Sequence, residues 1–117
     1  MNVKEFYQSF NGDYEKALSV MMNDAFIERM LSKFFAKNSC NDIISFYEVK
    51  DFASLFAAVH SFKWVAGNLA LTPLFNIACV ITEATRSLEV VNIDKEVNEL
   101  KDKYSQVEKA YKEFSSK

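Results

Sequence analysis

The stretch DFASLFAAVHSFKWVAGNLALTPLF, residues 51–75, decides the fold. At about 100° per residue, its apolar side chains fall on one side of a helix, and these are Phe52, Leu55, Val59, Phe62, Ala66 and Leu69. Asp51 is a residue type that caps helices, so we expect a helix from Asp51 to about Ala70. Thr72-Pro73 then combines an N-cap with a first-turn proline, which predicts the start of a second helix. The stretch therefore predicts a helical hairpin.

Apolar residues recur at helical spacing on both sides of this hairpin. The remaining helices are expected at residues 3–10, after a cap at Asp13, from Asn23 or Asp24 to Asn38-Ser39, at residues 41–49, from Thr72 to about Leu88, and from Asn92 or Asp94 onward. Together these segments predict an all-α fold. We expect an antiparallel four-helix bundle core with additional short N-terminal helices, in a single domain over residues 1–117.

The composition narrows the classes of function. The chain has only 2 Gly and 1 Pro, which is few for strands joined by tight turns. Its 14 basic and 16 acidic residues give a net charge of −2, whereas nucleic-acid-binding domains carry a basic surplus, so no nucleic-acid partner is expected. One histidine is too few for most His-based zinc sites, and Cys40 and Cys79 form no CxxC unit. We therefore expect no metal site.

The hydropathy pattern predicts no association with a membrane. No apolar run approaches the roughly 18 residues that a transmembrane helix needs. Residues 1–16, MNVKEFYQSFNGDYEK, contain acidic side chains and lack the apolar region of a secretory signal peptide. The expected location is the cytoplasm.

The only histidine, His60, lies off the centre of the apolar stripe, roughly a third of a turn round the helix. The residues that surround it on the helical wheel are Ala53, Ala57, Lys63, Trp64 and Gly67. Small residues beside an exposed polar group leave room for another molecule to approach. The alternative is a surface histidine without a role.

Residues His60–Leu69, HSFKWVAGNL, resemble the motif of histidine-containing phosphotransfer (HPt) domains, which runs roughly His-x-Leu-Lys-Gly-x-x-x-x-Leu-Gly. Residues 71–74, LTPL, match the turn between helices that follows this motif. Residues 23–35 resemble the helix that precedes the motif in small bacterial HPt proteins, and residues 81–86 resemble the next helix. The resemblance thus covers nearly the whole chain.

The resemblance implies a phosphocarrier of a two-component phosphorelay rather than an enzyme. It implies that His60 accepts the phosphoryl group and that Lys63, one helical turn away, stabilises the phosphoryl oxygens. The implied partners are a response-regulator receiver domain, a hybrid histidine kinase, or both. Mg²⁺ and the attacking aspartate would belong to the receiver, so this chain needs no cofactor. We expect a monomer that meets its partners transiently.

The resemblance also marks residues that would contact the partner, and these are Ala53, Ala57, Trp64, Gly67 and Arg86. If the second helix returns alongside the first, the residue level with His60 is near Glu83, and Arg86 lies about one turn beyond it. Arg86 is equally compatible with a plain surface charge.

Two positions depart from the family pattern. Trp64 stands where the family has glycine directly after the lysine, and Ala70 stands where a later glycine is usual. Trp64 has three interpretations: it shields the imidazole, it anchors a particular receiver, or it blocks transfer. The last leaves an adaptor that binds a receiver or kinase without phosphotransfer. A scaffold is a further alternative, favoured by an exposed apolar patch around Ala53, Ala57, Trp64 and Leu71.

Overall fold

The computed structural model describes residues 1–116, and most of them are helical. The helices in this range are α1 (Val3–Ser9), α2 (Tyr14–Met21), α3 (Asp24–Lys37), α4 (Ser39–Glu48), α5 (Phe52–Asn68), α6 (Thr72–Ala84) and α7 (Asp94–Ser115). Residues 1–116 contain no strand, so the predicted all-α class is confirmed.

Polar side chains fix where the first five helices begin. Each cap oxygen accepts a hydrogen bond from a backbone N–H of the first turn, and the caps are Asn2, Asp13, Asn23, Asn38 and Asp51. Such bonds satisfy donors that have no partner within the helix. The expected caps at Asp13 and Asp51 are confirmed, and Asn23 rather than Asp24 caps α3.

Two predicted helix boundaries around α6 are wrong. Leu71 occupies the N-cap position without a side-chain cap, and Thr72 is already inside the helix beside Pro73. At the other end, α6 stops at Ala84 rather than near Leu88. The Ile81 carbonyl oxygen accepts hydrogen bonds from both the Thr85 backbone N–H, at 3.0 Å, and the buried Thr85 hydroxyl, at 2.8 Å.

Helix α5 lies against both α4 and α6, and α6 also packs against α7. All six side chains predicted for the apolar stripe of α5 are buried. Phe62 contacts Phe34 of α3 with ring centroids 5.5 Å apart. Because the buried stripe holds one side of α5, the opposite side faces solvent and carries His60.

Two core tyrosine hydroxyls differ in their partners. The Tyr7 hydroxyl donates to the Leu69 carbonyl oxygen, with the two oxygens 2.6 Å apart. The Tyr104 hydroxyl is buried and has no hydrogen-bond partner within residues 1–116. Burial raises the pKa of both tyrosines above the ordinary value. Tyr7 therefore links α1 to the end of the α5 segment, whereas the Tyr104 hydroxyl adds no bond.

We expect Tyr7→Phe to lower the free energy of unfolding by about 1–2 kcal/mol, because it leaves the buried Leu69 carbonyl without its donor. Tyr104→Phe is the matched control, and it should be neutral or slightly stabilising because it removes an unsatisfied buried group. Urea denaturation of the three proteins measures both effects. Equal destabilisation by the two substitutions would contradict this difference in partners.

Candidate functional site

Helix α5 presents His60 to solvent between two aromatic rings. Phe56, four residues before it, stacks parallel to the imidazole with ring centroids 5.9 Å apart and planes 6° from parallel. Trp64, four residues after it, meets the imidazole edge-on at 6.5 Å and 84°. Residues four apart are neighbours on a helix, so the two rings cover the flanks of the imidazole along the helix axis.

Trp64 was predicted to lie beside His60, whereas Phe56 was not. Phe56 is half-buried, whereas the Trp64 side chain is 61% exposed. The same spacing of four residues that indicated Trp64 could have found Phe56 on the other side. Both rings therefore belong to the surroundings of His60.

Lys63 also lines a cleft of about 280 Å³, which His60 itself does not line. The other lining residues come from three helices and are Lys16, Trp64, Gly67, Asn68 and Phe75. The Lys16 ammonium lies 5.6 Å from the centroid of the Phe75 ring, at cation–π distance. Lys16 and Phe75 were not predicted to lie near the site, because only the tertiary fold brings α2 and α6 to α5.

Gly67 is half-buried where α5 and α6 approach each other closely. A Cβ atom at this position would lie 3.0 Å from ring carbons of Phe75, closer than almost all ordinary contacts. The glycine therefore lets the Phe75 ring pack directly on the α5 backbone. Gly67 therefore has a packing role in the fold, and its contact with a partner remains a prediction.

Arg86 and Glu83 form an exposed ion pair at the end of α6. The Arg86 Nη2 atom lies 2.5 Å from Glu83 Oε1, and Nε donates to Oε2 at 3.2 Å. The hydrogen bond from Arg86, with the arginine charge and a smaller effect of the Lys63 charge, lowers the pKa of the Glu83 carboxyl. Glu83 therefore lies within electrostatic reach of α5, and the Arg86 guanidinium is already engaged by an acid that the sequence analysis did not include in the site.

The remaining predicted partner-binding residues lie at the surface, whereas one residue of the apolar patch predicted for a scaffold is buried. Ala53 and Ala57 are exposed on α5, on the same side as His60 and Trp64. Leu71 is fully buried, so the exposed apolar patch that would include it is not present. The exposed apolar surface that would support a scaffold is therefore limited to residues of α5.

A larger groove lies away from the histidine. Its volume is about 330 Å³, and its lining includes Met21, Phe34 and Val65 but not His60 or Lys63. Within residues 1–116, no three His, Cys, Asp or Glu side chains cluster as a metal site would require. No helix in that range has the length and apolar character needed to cross a bilayer.

No family model, curated protein or solved structure matches this chain. Inference about function therefore rests on the residues around His60 and on the resemblance of the motif that contains it.

Proposed function

We propose that this protein is a histidine phosphotransfer protein of a two-component phosphorelay, acting in the cytoplasm as a monomer. His60 would accept a phosphoryl group and pass it to or from an aspartate of a receiver domain. The observation that carries the proposal is the exposed imidazole on the solvent side of α5 with a lysine one turn away. The proposed role is that of a stoichiometric carrier without kinase activity of its own.

The proposal includes an antiparallel four-helix core of the HPt type. Its support is a closed ring of helix contacts, in which α4 packs on α5, α5 on α6, α6 on α7 and α7 on α4. Short connections join α4 to α5 and α5 to α6, which favours antiparallel neighbours. Helix α3 lies outside this ring and contacts α5 through Phe34 and Phe62, and the short helices α1 and α2 would be the N-terminal additions.

The proposed reaction requires only two groups from this chain, a nucleophilic imidazole and a nearby cation. A lone pair on an imidazole nitrogen attacks the phosphorus of a receiver aspartyl phosphate, the N–P bond forms as the P–O bond breaks, and the aspartate leaves as a carboxylate. The ammonium of Lys63 would stabilise the charge on the transferring oxygens. Mg²⁺ would be held by the receiver. The phosphohistidine then returns the group by the reverse step.

The surroundings of His60 leave one direction of approach open. Phe56 and Trp64 cover the flanks of the imidazole along the helix axis. Ala53 and Ala57 are small and exposed, so they leave space above the helix surface. A partner would therefore approach perpendicular to α5, and the rings would restrict how it tilts.

The alternative is an adaptor that binds a receiver or kinase without phosphotransfer. The observation that favours it is Trp64, which stands beside the imidazole and is 61% exposed. An exposed tryptophan is a frequent anchor of protein interfaces, and it also fills space that glycine would leave free. Substitution at this position separates the two functions.

For Trp64→Gly we expect His60 to remain a phosphoacceptor while receiver binding weakens about tenfold or more, because an aromatic anchor is lost. The measurements are the receiver dissociation constant by calorimetry and the rate of transfer from the labelled receiver. Trp64→Ala is the control, because it removes the ring without the roughly 1 kcal/mol cost of glycine inside a helix. Transfer that appears only after the tryptophan is removed would favour the adaptor.

A further inference from the structure

The cleft beside Lys63 is lined by basic, amide and aromatic side chains and by no acidic one. Two lysines from different helices line it, Lys16 from α2 and Lys63 from α5. Asn68 adds an amide that can donate hydrogen bonds, and no aspartate or glutamate is among the lining residues. The rings of Trp64 and Phe75 form apolar walls of the cleft.

Lys16 is available to an external anion. Within residues 1–116 it forms no ion pair, and its contact at the cleft is with the face of the Phe75 ring. Lys63 lies within electrostatic reach of Glu83 but forms no ion pair in that range either. Two cations that share a small cleft without an acid favour any carboxylate that enters it.

The phosphoryl group of His60 itself does not fill this cleft. Asn68 is eight residues further along α5, which is about 12 Å along the axis at 1.5 Å per residue. Lys63 lies between the two positions and borders both. An anion that binds between Lys16 and Asn68 would therefore come from another molecule.

We propose that the cleft lined by Lys16, Lys63 and Asn68 binds a carboxylate side chain of the docking receiver domain, with Trp64 forming the wall between that contact and His60. This inference rests on the proposed function, since it assigns a second contact to the same encounter. Helix α2 then belongs to the docking surface. Trp64 serves as part of the recognition surface, which accounts for a bulky residue where the family has glycine.

The test uses the full chain and the receiver domains encoded in the genome of its source. Lys16→Glu should weaken the receiver that binds best about tenfold or more, and Lys16→Gln about two- to fivefold, because a charge at an interface rim steers association and repels a like charge. Lys109→Glu, an exposed position on α7, is the matched control and should bind as the wild type does. Replacing the responsible acid of the receiver with lysine should restore binding to Lys16→Glu.

Labelling of His60 by phosphoramidate separates this inference from the proposed function, because that small donor needs no docking. Normal labelling of Lys16→Glu together with weakened receiver binding supports the inference. Unchanged receiver binding by Lys16→Glu overturns the inference and leaves the carrier function standing. The absence of any receiver that binds the wild type has the same two consequences. If phosphoramidate does not label the wild type, the carrier function is overturned. Receiver binding by Lys16→Glu then still tests the proposed carboxylate contact.

Discussion

Replacing His60 with glutamine is expected to abolish phosphoryl acceptance while leaving the fold unchanged. Glutamine lacks a nucleophilic ring nitrogen, and His60 is the only histidine of the chain, so no other imidazole can substitute for it. The side chain is exposed and glutamine is a good helix former, so stability should change by less than about 0.5 kcal/mol. The measurement is phosphorus NMR at neutral pH after incubation with phosphoramidate.

Lys63→Gln provides the graded comparison for this prediction. It keeps the nucleophile and removes the cation, so acceptance should persist at a rate about ten- to a hundredfold lower, the scale of a charge-assisted hydrogen bond. Phosphorylation of His60→Gln at wild-type level would mean that another residue accepts the group. Equal rates for Lys63→Gln and the wild type would remove the role assigned to the lysine.

The second large effect is expected on stability, from Phe62→Ala. Phe62 is 2% exposed and packs against Phe34 of α3, two positions along α5 from the histidine. Truncating a buried phenylalanine removes apolar contacts and leaves a cavity, which typically costs about 3–5 kcal/mol. Because a domain of this size is stable by only about 5–15 kcal/mol, the variant should denature at a much lower urea concentration.

Phe56→Ala is the matched control for Phe62→Ala, since the same side chain is removed from the same helix. Phe56 is half-buried and stacks on the exposed imidazole, so its removal should cost clearly less stability than removal of Phe62. It should instead alter the reactivity of His60 by freeing one face of the ring. Equal destabilisation by the two substitutions would show that the α5 surface is not divided into a core side and a solvent side.

The local structure of α5 could be predicted from the sequence because it depends on periodicity and capping alone. The six buried side chains recur at helical spacing, and Asp51 has the chemistry of an N-cap. The start of α6 was misplaced by one residue because Thr72 can act either as a cap or as a first-turn residue before Pro73. The end of α6 was misplaced by about four residues because no Gly, Asn or Pro follows Ala84 closely enough to mark it.

The surroundings of His60 could be predicted only within its own helix. Lys63 and Trp64 follow from spacing along α5, and Phe56 was available by the same rule. Lys16 and Phe75 reach the cleft from other helices, and no spacing along the chain relates them to His60. The pairing of Arg86 with Glu83 follows from their spacing of three residues. The electrostatic interaction of Glu83 with Lys63 depends on the packing of α6 against α5 and could not be predicted from spacing.

The most direct test of the proposed carrier function is to locate the phosphoryl group on the intact protein after incubation with phosphorylated receiver domains. Mass spectrometry at neutral pH is required, because phosphohistidine is lost in acid, and fragmentation then assigns the modified residue. We predict a transient gain of one phosphoryl group on His60 that disappears when unphosphorylated receiver is added in excess. No gain on His60 from any receiver that binds the protein would contradict the carrier function and leave the adaptor as the better description.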